Sequence, residues 1–140
     1  MKKYILFDND GVLVETENWY YEANKKALKQ LGLNLQRDEY QEIMARGGTA
    51  WELAINAGIT TEIIDKKRVQ RDNYYQEFLH TKNLEIPNVK KVLKNLSKKY
   101  KMAIVTTSRR VEDYKRAKSY LEMLELFKAL PEHTIVVEDS

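Results

Sequence analysis

The chain contains no cysteine, which removes the disulfide, the thiolate zinc site and the cysteine nucleophile together. It has no apolar run near the roughly 18 residues that a bilayer-spanning helix needs. Met1-Lys2-Lys3 is basic, but a strand-like pattern starts at once and Asp8 interrupts any secretory core. The expected location is therefore cytoplasmic, with no membrane partner. The two histidines, His80 and His133, lack the spacing of a metal pair and are expected at the surface or at helix ends. Charge of one sign is also scarce. Against 24 Lys and Arg stand 21 Asp and Glu, a net +3, interleaved along most of the chain, so no nucleic-acid partner is expected. The most basic stretch, residues 90–101, sets Val89, Val92, Leu93 and Leu96 at helical spacing with lysines elsewhere, and reads as a solvated helix face.

What is present is an ordinary soluble composition, 43% hydrophobic and 32% charged. At 140 residues the chain can hold one real core with an accessory layer, and is short for two complete domains. The most informative segment is Tyr4-Ile5-Leu6-Phe7-Asp8-Asn9-Asp10-Gly11-Val12-Leu13-Val14. An apolar strand here delivers two carboxylates and then a glycine, at the end of a buried strand where open α/β sheets place their chemistry. Strand alternation sends Asp8 and Asp10 to one face and Asn9 to the other. Paired carboxylates suit a hard cation, or a division of labour between a nucleophile and a proton carrier. The alternative is a strand ending in an Asx-type turn with solvated carboxylates.

Residues 16–81 carry only helical patterning. A helix over 17–31 aligns Trp19, Ala23, Ala27 and Leu31 at intervals of four, with Gly32 as its cap. A second covers 38–45; Arg46-Gly47-Gly48-Thr49 then breaks the pattern, and Thr49 with Glu52 reads as a capping box opening a third helix. A longer amphipathic helix covers 61–81. Trp19, Tyr20 and Trp51 are expected in the core of this region. Further strands are predicted near 102–106 and 134–138. The first of these ends in Thr106-Thr107-Ser108-Arg109-Arg110, where hydroxyls and guanidinium groups suit a phosphate; the second ends in Glu138 and Asp139. Three strands thus deliver polar groups at their C-terminal ends, which points to one shared site.

The combination resembles the haloacid dehalogenase superfamily, in the branch of small-molecule phosphatases and β-phosphoglucomutases whose helical cap follows the first strand. Asp8-Asn9-Asp10-Gly11-Val12-Leu13 looks like its first motif, Thr106 its second and Val136-Val137-Glu138-Asp139 its fourth. Lys118 is the best match for the third. The resemblance implies an α/β fold, a three-layer Rossmann-like parallel sheet core (1–15 and 82–140) with an inserted all-helical cap (16–81). It implies a Mg²⁺-dependent phosphohydrolase of small phosphate monoesters, with Asp8 as nucleophile and Asp10 as acid and base. Mg²⁺ would be held by Asp8, Asp10 through its main-chain carbonyl, Asp139 and Glu138. The phosphate would meet Thr106, Thr107, Lys118 and Thr16. In the cap, Arg46 and Thr49 would face the leaving group. On a continuous helix Lys118 would lie about 12 Å down the axis at 1.5 Å per residue, which leaves Arg109, Arg110 and Lys115 as other sources of positive charge.

Asp10 argues against the name-giving dehalogenase reaction, because dehalogenases of the superfamily typically lack that second aspartate. The alternatives are β-phosphoglucomutase-like transfer on sugar phosphates and a non-catalytic relative that binds phosphate or a protein. Measured against the resemblance, the chain is expected to be incomplete at the C-terminus and near 110–113. The expected partner is a small phosphorylated metabolite, and the expected state a monomer or weak dimer.

Overall fold

The computed structural model describes residues 1–105 and 130–138. Their contacts divide the chain into two units. One joins Met1–Glu15 to the chain from Leu84 onward, and the other is Thr16–Asn83.

The first unit is built on a parallel three-stranded sheet, the α/β, Rossmann-like fold class expected. Strand β1 (Tyr4–Phe7) lies between β2 (Lys101–Ile104) and β3 (Thr134–Val137), in the order β2-β1-β3. A central strand in a parallel sheet is covered on both faces and so reads as a continuous apolar run, and Ile5, Leu6 and Phe7 are all buried. Tyr4 pairs with Lys101 and Thr134, and Phe7 with Ile104 and Val137. Pairing continues past the strands: the Val105 N–H donates to Phe7 O at 2.8 Å and the Asp8 N–H to Val137 O at 2.9 Å. The strands predicted over 102–106 and 134–138 thus begin or end slightly differently, at Lys101–Ile104 and Thr134–Val137.

Helix α5 (Val89–Leu96) precedes β2 and begins after Asn88, whose φ is 69°. It has no buried residue. Val89, Leu93 and Leu96 are half-buried and its lysines are exposed, as a solvated helix face should be.

The second unit consists of α1 (Glu17–Lys29), α2 (Arg37–Ala45), α3 (Glu52–Asn56) and α4 (Thr61–Thr81). Helix α1 ends at Lys29, two residues before the predicted Leu31, and Gly32 closes it as expected. The Gly32 N–H donates to Lys29 O at 3.0 Å and the Leu33 N–H to Leu28 O at 3.2 Å, with Gly32 at φ +76°. This is a Schellman closure, whose left-handed position favours glycine. Ala23 and Ala27 are fully buried, so α1 is shallow along one face. Tyr20 stacks edge-on against Tyr75 of α4 at 5.2 Å, and Trp19 lies 5.7 Å from Phe78. Tyr21, Leu28, Leu35, Trp51 and Ile64 form the core of this unit. Trp51 belongs to it as expected, whereas Trp19 and Tyr20 are only half-buried. No helix among the described residues is long and apolar enough to cross a membrane.

Candidate active site

The order β2-β1-β3 makes the chain leave β1 towards one neighbour and return on its other side. Open parallel sheets bind ligands at such a switch point, outside the carboxyl ends of the strands. Because Phe7, Ile104 and Val137 are in register, the next residues along, Asp8, Val105 and Glu138, come to that same edge. Asp8 is 3% exposed and its Oδ1 accepts the Asn9 N–H at 2.9 Å. A carboxylate buried to this degree needs polar partners to offset its desolvation. Val105 is buried too, while Glu138 is exposed.

Since β1 ends at Phe7, Asp10 lies beyond the strand, bridged to Val14 across a turn, and strand alternation does not set its direction. The turn winds around one acceptor: the N–H groups of Val12, Leu13 and Val14 approach Asn9 O at 3.4, 2.9 and 3.2 Å. Gly11, at φ 74°, supplies the left-handed step and donates its N–H to Val14 O at 2.9 Å. Val14 then pairs antiparallel with Glu85, and the Glu15 N–H donates to Leu84 O at 2.8 Å. The backbone carrying both aspartates is therefore hydrogen-bonded on each side of Asp10.

Thr106, Thr107, Lys118 and Asp139 lie outside the described residues, as do Arg109, Arg110, Lys115 and positions 110–113. Thr106 follows Val105 and Asp139 follows Glu138 directly in sequence. Among the described residues no three His, Asp or Glu side chains are grouped closely enough to hold a metal ion. The donor types at the sheet edge, carboxylate and main-chain carbonyl oxygens, are those a hard divalent cation takes, so the chemistry of the set fits Mg²⁺. Thr16 is buried, and its carbonyl accepts the Tyr20 N–H at 3.0 Å.

In the helical unit, Arg46 and Thr49 lie on the α2–α3 connection, and both are exposed. Arg46 is engaged by Glu52. Its Nη1 donates to Glu52 Oε1 at 3.2 Å, and Nη2 donates to Oε2 in the second arm of a fork. The Thr49 N–H reaches Glu52 Oε1 at 3.3 Å, which is the returning half of a capping box. Helix α3 itself starts later than that motif predicts, with Trp51 at its N-cap position. The Arg46 hydrogen bond holds the Glu52 carboxyl below the usual carboxylate range, and Glu52 pushes Arg46 up. The sequence reading paired Glu52 only with Thr49, because a separation of six across a glycine turn has no helical periodicity to announce it.

A second omission is Arg71, buried on α4. Its Nη1 donates to Tyr20 Oη and to Asn24 Oδ1, both at 2.9 Å, and its Nε to Asp72 Oδ1 at 2.7 Å. The signal was available, since Ile64, Arg71 and Phe78 repeat at seven residues and so share one helix face. His80 is exposed and His133 half-buried.

With this geometry in place, comparison with known proteins is specific. The sequence profile of the haloacid dehalogenase-like hydrolases matches residues 5–116. The chain belongs to that family. A phosphorylated carbohydrates phosphatase of Thermotoga maritima is 27% identical to it, over 97% of this chain and 76% of that protein. Among solved structures, a haloacid dehalogenase-like hydrolase from Streptococcus pneumoniae superposes with a TM-score of 0.74 at 20% identity, covering 99% of this chain and 76% of that one. CbbY from Rhodobacter sphaeroides in complex with phosphate superposes with a TM-score of 0.71 at 19% identity, covering 100% and 79%. These two likenesses establish a shared fold.

Proposed function

We propose that the chain is a Mg²⁺-dependent phosphohydrolase of small phosphate monoesters that works through an aspartyl-phosphate on Asp8. The observation that carries this reading is the burial of Asp8 at the carboxyl end of the central strand, at the switch point, with Asp10 two residues on in a hydrogen-bonded turn. A family profile spanning most of the chain and a phosphatase relative support it.

In the first step an Asp8 carboxylate oxygen attacks phosphorus, the bond from phosphorus to the ester oxygen breaks, and Asp10 gives its proton to the departing oxygen. In the second, Asp10 takes a proton from water as that water attacks phosphorus. The bond from phosphorus to Asp8 breaks, releasing inorganic phosphate and restoring both carboxyl groups. Thr106, Thr107 and Thr16 would donate hydroxyl hydrogen bonds to the phosphate, and Lys118 would offset its charge. Asp8, the main-chain carbonyl of Asp10, Asp139 and Glu138 would hold the cation. When bound, it supplies the positive charge that lets a phosphate dianion approach carboxylates. Residues 16–81 act in this reading as the cap that excludes water and selects the leaving group, through Arg46 and Thr49.

The test is hydrolysis of a generic aryl phosphate with Mg²⁺ and with a chelator, by the wild type and by Asp8→Asn. The expected outcome is Mg²⁺-dependent turnover that falls at least about a thousandfold in the variant, as for loss of a catalytic nucleophile. Equal turnover by the two proteins would end the reading.

A further inference from the structure

The loop at residues 46–49 carries an arginine and two glycines, the composition of an anion cradle, yet its donors are already taken. The Arg46 N–H goes to Glu42 O, the Gly47 N–H to Met44 O, the Gly48 N–H to Ile43 O and the Thr49 N–H to Glu52. An anion-binding nest needs successive N–H groups left open to the anion, and here three are bonded to carbonyls of α2 and the fourth to the Glu52 carboxylate. The guanidinium is committed as well, with both terminal nitrogens forked onto Glu52. The carboxylate is seated by Gly48: a Cβ at that position would stand 2.2 Å from Glu52 Oε1 and 3.0 Å from Ile43 Cγ2. The open groove beside the pair, about 500 Å³, is lined by Glu39, Glu42 and Glu52 against the single cation Arg46, with Asn56 as a neutral amide. Its ionisable lining thus sums to −2.

We propose that Glu52 is a specificity-determining residue. By occupying Arg46 it disfavours a second anionic group at the loop, so the preferred substrate is a monophosphate whose leaving group is small, uncharged and rich in hydroxyls. The inference rests on the phosphohydrolase reading for the role of the loop. Its chemistry is that of the groove. Carboxylates and an amide oxygen accept hydrogen bonds from hydroxyl groups, whereas a second phosphate would meet net negative charge beside loop N–H groups that are already engaged.

The experiment compares a sugar monophosphate with the corresponding bisphosphate, in wild type and in Glu52→Gln. Glutamine has the same shape, can still accept the Thr49 N–H through its carbonyl oxygen, and releases the charge of Arg46. The wild type should favour the monophosphate in kcat/KM. In Glu52→Gln the KM for the bisphosphate should fall relative to that for the monophosphate by about three- to fivefold at low salt, the range of one exposed ion pair. The shift should shrink as ionic strength rises. A purely structural role for Glu52 would move both substrates together, and an unchanged ratio would overturn the inference.

A second readout needs no turnover. Titration with the bisphosphate, followed at the Gly48 and Thr49 amide resonances, should show tighter binding to Glu52→Gln than to wild type. If those amides respond to neither sugar phosphate in either protein, the loop does not face substrate and the inference falls, even where the aryl phosphate is hydrolysed. If binding tightens in the variant while no phosphate ester is turned over, the inference stands and the phosphohydrolase reading is what fails.

Discussion

The two units hold similar kinds of apolar side chains in unlike ways. In the helical unit Tyr21, Leu28, Leu35, Trp51 and Ile64 meet in one cluster, with Leu31, Leu33, Tyr40 and Leu53 packed around it. Among the described residues of the sheet unit burial concentrates on β1. Of the flanking strands, Ile104 is 54% exposed and Val136 47%, and Val92 on α5 is 50% exposed. Antiparallel helices joined by short turns can close a core from neighbouring segments. A parallel sheet must bring together strands far apart in sequence, and each crossover has to cover its faces. The chemistry is proposed on the element that the second arrangement buries best, the end of β1, while selectivity is proposed on a loop of the first.

The most severe way to break this contrast is to compare truncations in the two units. Trp51→Ala removes a side chain only 2% exposed at the centre of the helical cluster, and should cost about 3–5 kcal/mol. Ile104→Ala, on a strand that leaves more than half of that side chain in solvent, should cost about 1 kcal/mol or less, since little apolar area returns to water. Urea denaturation followed by circular dichroism measures both. Similar costs for the two variants would mean that the flanking strand is as deeply packed as the helical core.

How much of this was legible in the sequence follows the same division. The long helix 61–81, the Gly32 closure after α1 and the central strand were readable because each is fixed by local signals: apolar period, a left-handed glycine, an unbroken hydrophobic run. The fold class was readable because three such runs each end in polar residues. For Asp10 the strand period is not the local signal that applies, because β1 ends at Phe7 and the backbone beyond it winds around Asn9 O. The Arg46 and Glu52 fork and the Arg71 network escaped because both pair residues through tertiary packing, and neither spacing is one that secondary structure dictates.

Arg71 gives the next test, of intermediate size. Its guanidinium satisfies the buried Asn24 Oδ1 and also lies 4.9 Å from the Tyr20 ring. Arg71→Met should cost about 1–3 kcal/mol, because it leaves a buried amide oxygen without its donor. Adding Asn24→Leu should recover part of that loss, giving a coupling of about 0.5–3 kcal/mol in a double-mutant cycle. Strict additivity would show that the two side chains stabilise the α1–α4 contact independently.

The smallest effect concerns alkaline pH and separates the units without disturbing packing. Burial, with the nearby Tyr20 and Glu17, pushes the Tyr40 hydroxyl up from 10.0 to about 12. Between these values the unfolded chain releases a proton that the folded protein retains, so unfolding is favoured as pH rises. The contribution is complete below pH 10 and is lost progressively towards 12. Tyr40→Phe cannot titrate and should flatten that part of the stability curve while changing stability little at pH 7. Because Tyr40 packs on the helical cluster and its ring lies 5.1 Å from that of Tyr21, the flattening should be read in helical signal. An alkaline loss of helix that is identical in Tyr40→Phe and wild type would place the sensitive group elsewhere, and would remove pH as a means of unfolding the helical unit through this one side chain.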